Sequence, residues 1–217
     1  MDLKEKKQYL EHNEAVIKHI EKYLKDTKIN VYHELVSLDF HLDVYYIQHK
    51  DYEFSLLLTS GMSSIEMNTN ELPENKDLLK FAELMVMIPK GIDFGKIYPS
   101  KTPYDWILSM IKQTAKFPHL YDTWIGIGHT VQANENMKPY SADTNFCGCL
   151  VLPTVSFPEE FTEIKTKNGV INIYGLFPLY KEEIEYKIKN GYNKFIQFLI
   201  ENNTKEIIDF NRPNYCK

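Results

Sequence analysis

The chain has no long apolar run. Nothing in its 217 residues approaches the about 18 consecutive apolar residues of a membrane span, and the amino-terminal stretch MDLKEKKQYLEHNEAVIKHIEKYLK is charged and amphipathic, without an apolar signal core. The expectation is a protein that stays in the cytosol. Cysteine is scarce as well. Cys147, Cys149 and Cys216 are odd in number and lack zinc-type spacing, which argues against a disulfide framework or a cysteine-based zinc site and for reduced thiols. An excess of positive charge is also missing. Lys and Arg number 25 against 30 Asp and Glu, a formal net charge of −5, so a broad phosphate-binding surface for nucleic acid is not expected. No internal repeat, low-complexity tract or flexible linker interrupts the chain, and one domain over residues 1–217 is expected.

What is present is ordinary globular composition with many rings. Hydrophobic residues make up 43% and charged residues 25%, enough to bury a core without a cofactor or a staple. The 15 Tyr and 12 Phe suit both a core and a protein interface.

Periodicity places the elements. Leu10, Ile17, Ile20 and Leu24 recur at helical spacing over residues 2–24, and Asp2 followed by Glu5 offers a capping-box start. Phe40, Leu42, Val44 and Tyr46 alternate with Asp39, His41, Asp43 and Tyr45, which predicts a strand with one apolar face. Residues 52–59 make a second strand, Thr59 to Ser63 a small-residue turn, and residues 81–88 a third strand with Ala82, Leu84, Val86 and Ile88 on one face. Three prolines and two glycines between Pro89 and Pro103 predict a long loop.

Trp106, Ile107, Met110, Ile111 and Thr114 share a helix side, and the helix is expected to end near Phe117 because Pro118 disfavours helical conformation in its predecessor. Residues 124–131 and 146–152 read as strands, and Lys167, Asn168 and Gly169 supply the turn of a hairpin between residues 161–166 and 170–177. Ile184, Ile188, Tyr192, Phe195 and Leu199 trace the stripe of a closing helix over residues 181–202. Seven or so strands between three helices do not alternate as βαβ units. The predicted class is α+β, with a mixed, mainly antiparallel sheet flanked by amino-terminal, central and carboxy-terminal helices.

Several residues invite a chemical reading. Asp39, His41 and Asp43 project from one strand face and could converge as metal ligands or as an acid/base set, but half-exposed strands carry alternating polar residues anyway, and no metal is expected. His33 with Glu34, and His129, stand outside any nucleophile motif. Ser60-Gly61-Met62-Ser63 lacks the G-x-S-x-G elbow and reads as a turn. Gly126 and Gly128 lack the third glycine and acidic partner of a dinucleotide site, so a strand bend or close backbone approach is the better account. No catalytic, cofactor or metal residue is assigned.

One resemblance runs through these segments. His41-Leu42-Asp43-Val44-Tyr45, then Leu58 to Ser63, then Ala82-Glu83-Leu84-Met85 resemble the bacterial Suppressor of Fused domain. Trp106 with Leu108, Phe177-Pro178-Leu179-Tyr180 with Glu183, Gly191, and the terminal Ile208-Asp209-Phe210-Asn211-Arg212 continue it, so the similarity covers about residues 33–212. The resemblance implies a non-catalytic protein-binding domain. Animal relatives of that family grip an extended peptide of a transcription factor, and bacterial ones are often similar to immunity proteins that neutralise a toxin, frequently a nuclease. The leading expectation is therefore an immunity protein with a toxin as its partner. A peptide- or protein-sequestering regulatory module is the alternative, and a metal-dependent hydrolase at Asp39, His41 and Asp43 the remote one.

Overall fold

The computed structural model describes residues 3–34, 40–72, 74–94 and 101–217, with side chains described from residue 7. The predicted Asp2–Glu5 capping pair, Asp39 and residues 95–100 of the predicted long loop lie outside the described residues. The strands are β1 (Thr27–Tyr32), β2 (Asp43–His49), β3 (Phe54–Ser60), β4 (Phe81–Pro89), β5 (Thr130–Gln132), β6 (Gly148–Leu152), β7 (Glu163–Thr166) and β8 (Gly169–Leu179). The helices are α1 (Leu3–Tyr23), α2 (Asp105–Leu120), α3 (Lys181–Asn190) and α4 (Tyr192–Glu201).

The strands form one sheet in the order β1-β2-β3-β4-β8-β6-β5, with β7 paired to β8 beside that path. The β4–β8 pair is parallel and the other pairs are antiparallel. The α+β class with a mixed, mainly antiparallel sheet is thus the observed architecture.

Both faces of the central strands are covered. Val44, Tyr46, Leu57, Leu84 and Val86 pack with Trp106, Ile107, Met110 and Ile111 of α2. Tyr45, Ile47, Leu56, Leu58, Met85 and Met87 point the other way and pack with Val16, Ile20 and Leu24 of α1. Farther along the sheet, Leu150, Phe177 and Leu179 meet Ile184, Phe195 and Leu199 of α3 and α4. Each such side chain contributes about 1.5–3 kcal/mol on burial. The alternation predicted for β2 and β4 therefore marks two buried faces rather than one; Tyr45 and Ile47 are as enclosed as Val44 and Tyr46.

Four other expectations are corrected. The strip of α1 against the sheet is His12, Val16, Ile20 and Leu24, an i, i+4 row, while Leu10 and Ile17 are exposed. Helix α2 continues through Pro118, which forfeits one hydrogen bond near the end; Tyr121 N–H still reaches Phe117 O, and His119 Nε2 lies 3.0 Å from Met62 O, anchoring the last turn. Residues 124–129 are not in a strand: a turn closes over residues 126–129, with His129 N–H bonded to Gly126 O and Gly128 at φ +90°, so β5 starts only at Thr130. The closing helix is two helices. Gly191 at φ +85°, ψ 166° breaks it, and Ile188 is left exposed although it continued the apolar spacing.

Candidate functional site

The first edge of the sheet is the short strand TKINVY. Among the described residues β1 pairs with β2 alone, in the register Thr27↔His49 through Tyr32↔Val44. Lys28, Ile29 and Asn30 are exposed, and a groove of about 900 Å³ runs along β1 between it and Gly91, Ile92 and Asp93. An edge strand carries main-chain groups that another extended chain can pair with.

A polar cluster stands at the carboxy-terminal end of that edge. The register that sets Tyr32 opposite Val44 also brings His33, just past β1, beside Asp43 at the start of β2. Asp43 is buried, and its Oδ1 accepts from His33 Nδ1 at 3.1 Å and from His41 Nε2 at 2.8 Å. The His33 and His41 rings lie 6.5 Å apart at 30°, and Tyr9 of α1 meets His41 edge-on at 5.9 Å. Burial, followed by the Asp43 charge, pushes the Tyr9 hydroxyl up to about 12. From α2, Lys116 binds Glu34, and burial pushes the Lys112 ammonium down against the pull of Glu34 and Asp43. Of the predicted trio, His41 and Asp43 do come together, and His33 joins them. His129 stands apart against Trp124, with ring centroids 4.3 Å apart, and burial lowers its pKa.

The cluster rests on a fixed turn. Gly61, at φ +122°, lets the chain approach so closely that a Cβ there would lie 2.1 Å from His41 O. The turn Met62–Ser64 that follows is held from three sides. Glu83 of β4, fully enclosed, accepts from Gly61 N–H and Ser63 N–H at 3.0 Å each, from Ser63 Oγ at 2.7 Å and from Thr59 Oγ1 at 2.6 Å. Burial raises the Glu83 carboxyl, and these four bonds pull it back down. His12 of α1 bonds Ser63 O at 2.7 Å, and His119 of α2 bonds Met62 O. Burial lowers both imidazoles, which keeps them neutral N–H donors to carbonyls. The serine-glycine segment is thus a buried turn, as its sequence suggested.

A second buried carboxylate secures the far end. Glu183 at the start of α3 pairs with Arg212 through both guanidinium nitrogens, the Nη2–Oε2 distance being 2.7 Å. The guanidinium also meets the rings of Phe146, Phe177, Tyr180 and Tyr215 at 5.0–5.5 Å. Sequence reasoning singled out Glu183 and Arg212 but not their union. Likewise it missed His33 as a companion of Asp43, because the partnership depends on β1, which was not predicted.

A sequence model of the family described as "Suppressor of fused protein (SUFU)" matches residues 39–213. Among solved structures, a Suppressor of fused homologue from Neisseria gonorrhoeae superposes with a TM-score of 0.67 at 16% identity, covering 94% of this chain and 97% of that one. The crystal structure of the Sufu–Fu complex gives a TM-score of 0.63 at 14% identity, with 93% and 91% covered. Drosophila Suppressor of fused gives 0.55 at 11% identity, and there the match spans 93% of this chain but 51% of the fly protein. No curated protein sequence matches the chain.

Proposed function

The chain belongs to the Suppressor of fused family, and from that premise we propose that it is a protein-binding domain that captures a polypeptide partner along the edge strand β1. The carrying observation is that, as a strand, β1 pairs with β2 alone among the described residues and presents Lys28, Ile29 and Asn30 outward beside an open groove. Strand addition supplies affinity through main-chain hydrogen bonds and specificity through alternate side chains. A similar structure, the Sufu–Fu complex, contains a protein partner, which supports the same class of ligand here.

The rigid backing favours this reading. The Glu83 turn lies under the His41 segment and the Glu183–Arg212 pair closes the far end, so the sheet meets a partner preformed and little ordering entropy is lost on binding. Within this reading the partner is a toxin that the domain neutralises. The net charge of −5 supports a basic partner surface, since complementary potentials speed encounter.

The test is co-expression with the product of the neighbouring gene. Rescue from its toxicity, abolished by Ile29→Lys in a folded protein, is the expected result. Binding of that product without any toxicity to relieve would replace neutralisation by sequestration, and binding indifferent to substitutions along β1 would refute the edge-strand site.

A further inference from the structure

Three donor atoms, two imidazole nitrogens and one carboxylate oxygen, converge where the chain leaves β1 and where it enters β2. His33 stands where it leaves, and His41 and Asp43 where it enters. Their ligating atoms all lie within 4.8 Å of one another, with both imidazole nitrogens 2.8–3.1 Å from the same carboxylate oxygen. We propose that His33, His41 and Asp43 form a binding site for a divalent transition-metal ion of the zinc class, which ties these two points of the chain together.

The donor chemistry selects the ion. Two imidazoles and one carboxylate suit zinc and its neighbours, whereas calcium and magnesium take all-oxygen sets. The spacing is close to what such an ion needs. Bonds of about 2.0–2.2 Å in a tetrahedron set ligand atoms about 3.4 Å apart, so the two 2.8–3.1 Å contacts must open slightly and the imidazole nitrogens draw together. Both rings can move, as their side chains are 64% and 34% exposed, and this exposure is also the route by which the ion arrives.

Asp43 is the fixed member. Its side chain is 6% exposed and its backbone is paired with Ser60 at the head of β2. Lys116 of α2 is committed to Glu34. Lys112 of α2 feels the Asp43 charge and is the neighbouring cation with which a bound ion would have to compete. Three protein ligands leave a fourth position for water, the pattern of an open site. The ion requires no partner protein, so this inference stands or falls independently of peptide capture at β1.

The experiment titrates the purified full chain, stripped of metal, with zinc chloride by calorimetry, and with cobalt chloride to read the visible spectrum of a tetrahedral centre. One equivalent should bind and raise the melting temperature. His33→Ala and His41→Ala should each weaken binding by more than the roughly 10–100-fold that loss of an outer-shell partner costs, and His129→Ala, outside the cluster, should leave it unchanged. His33→Ala keeps the test sound should Asp43→Asn fail to fold, because the His33 side chain is 64% exposed. Absence of binding, or zinc affinity equal in the wild type, His33→Ala and His41→Ala, would overturn the site.

Discussion

Glu83→Ala strips the turn under His41 of its central acceptor. Gly61 N–H and Ser63 N–H would each lose their bond to Oε1, inside a region closed to water. An orphaned buried donor costs about 1–3 kcal/mol, so the pair costs about 2–6 kcal/mol, a large part of the about 5–15 kcal/mol that holds a domain folded. The hydroxyls are better placed, since Thr59 Oγ1 also lies 3.4 Å from Leu84 O. Glu83→Gln should cost only about 1 kcal/mol, because one oxygen can keep the three bonds to Gly61 and Ser63 while the amide nitrogen turns toward Thr59 Oγ1.

The two variants also separate burial from hydrogen bonding through pH. Burial is the dominant influence on Glu83 and raises its pKa above the ordinary 4.5. The folded state then holds the proton more tightly than the unfolded chain. Its contribution is complete below about 4.5 and is lost as pH rises through the folded value. Wild type should therefore lose ground to Glu83→Gln as pH rises from about 4.5 toward neutrality. Urea unfolding followed by circular dichroism across that range measures the difference. A penalty for Glu83→Gln that grows with pH would refute the dominance of burial, and a cost for Glu83→Ala below about 1 kcal/mol would refute the orphaned-donor account.

Other substitutions probe the same scaffold. Arg212→Ala should destabilise the fold by about 3–5 kcal/mol by leaving Glu183 buried without its partner, and replacing both residues with apolar ones should recover much of that in thermal unfolding. Gly61→Ala should cost at least about 1–3 kcal/mol, since the positive φ and the His41 carbonyl both oppose a Cβ, and it should shift the His41 imidazole resonances in NMR. Burial lowers His12, His19 and His119, so the folded state binds their protons more weakly; stability should be complete above the ordinary 6.5 and fall as pH drops below it, and a urea midpoint that stays flat below 6.5 in the Glu83→Gln variant, where the opposing Glu83 titration is removed, would contradict this. Ile29→Lys, on an exposed edge position, should change unfolding by less than about 0.5 kcal/mol while weakening partner binding in a calorimetric titration.

The parts of the fold legible in sequence were those with a strong period or a strict backbone demand. The β2–β4 meander, the Lys167-Asn168-Gly169 hairpin and the turn at Gly61 belong to this group. Strand β1 was missed although Ile29 and Val31 alternate with Lys28 and Asn30, because so short a run does not stand out as a strand and its Ile29 is left exposed at the edge. Losing β1 hid the site, for it is the Tyr32↔Val44 register that carries His33 to Asp43. The break at Gly191 was masked by an apolar spacing that runs across it, where only the glycine itself signals the positive φ. Long-range unions such as Arg212 with Glu183 are set by tertiary packing and leave no local pattern.

The most direct test of the central claim is hydrogen–deuterium exchange of the chain, alone and in complex with its co-expressed partner, read at the amides of Thr27–Tyr32. Protection of β1 on complex formation is the predicted result. A complex in which those amides exchange as fast as in the free chain, with protection gathered elsewhere, would contradict capture along the sheet edge.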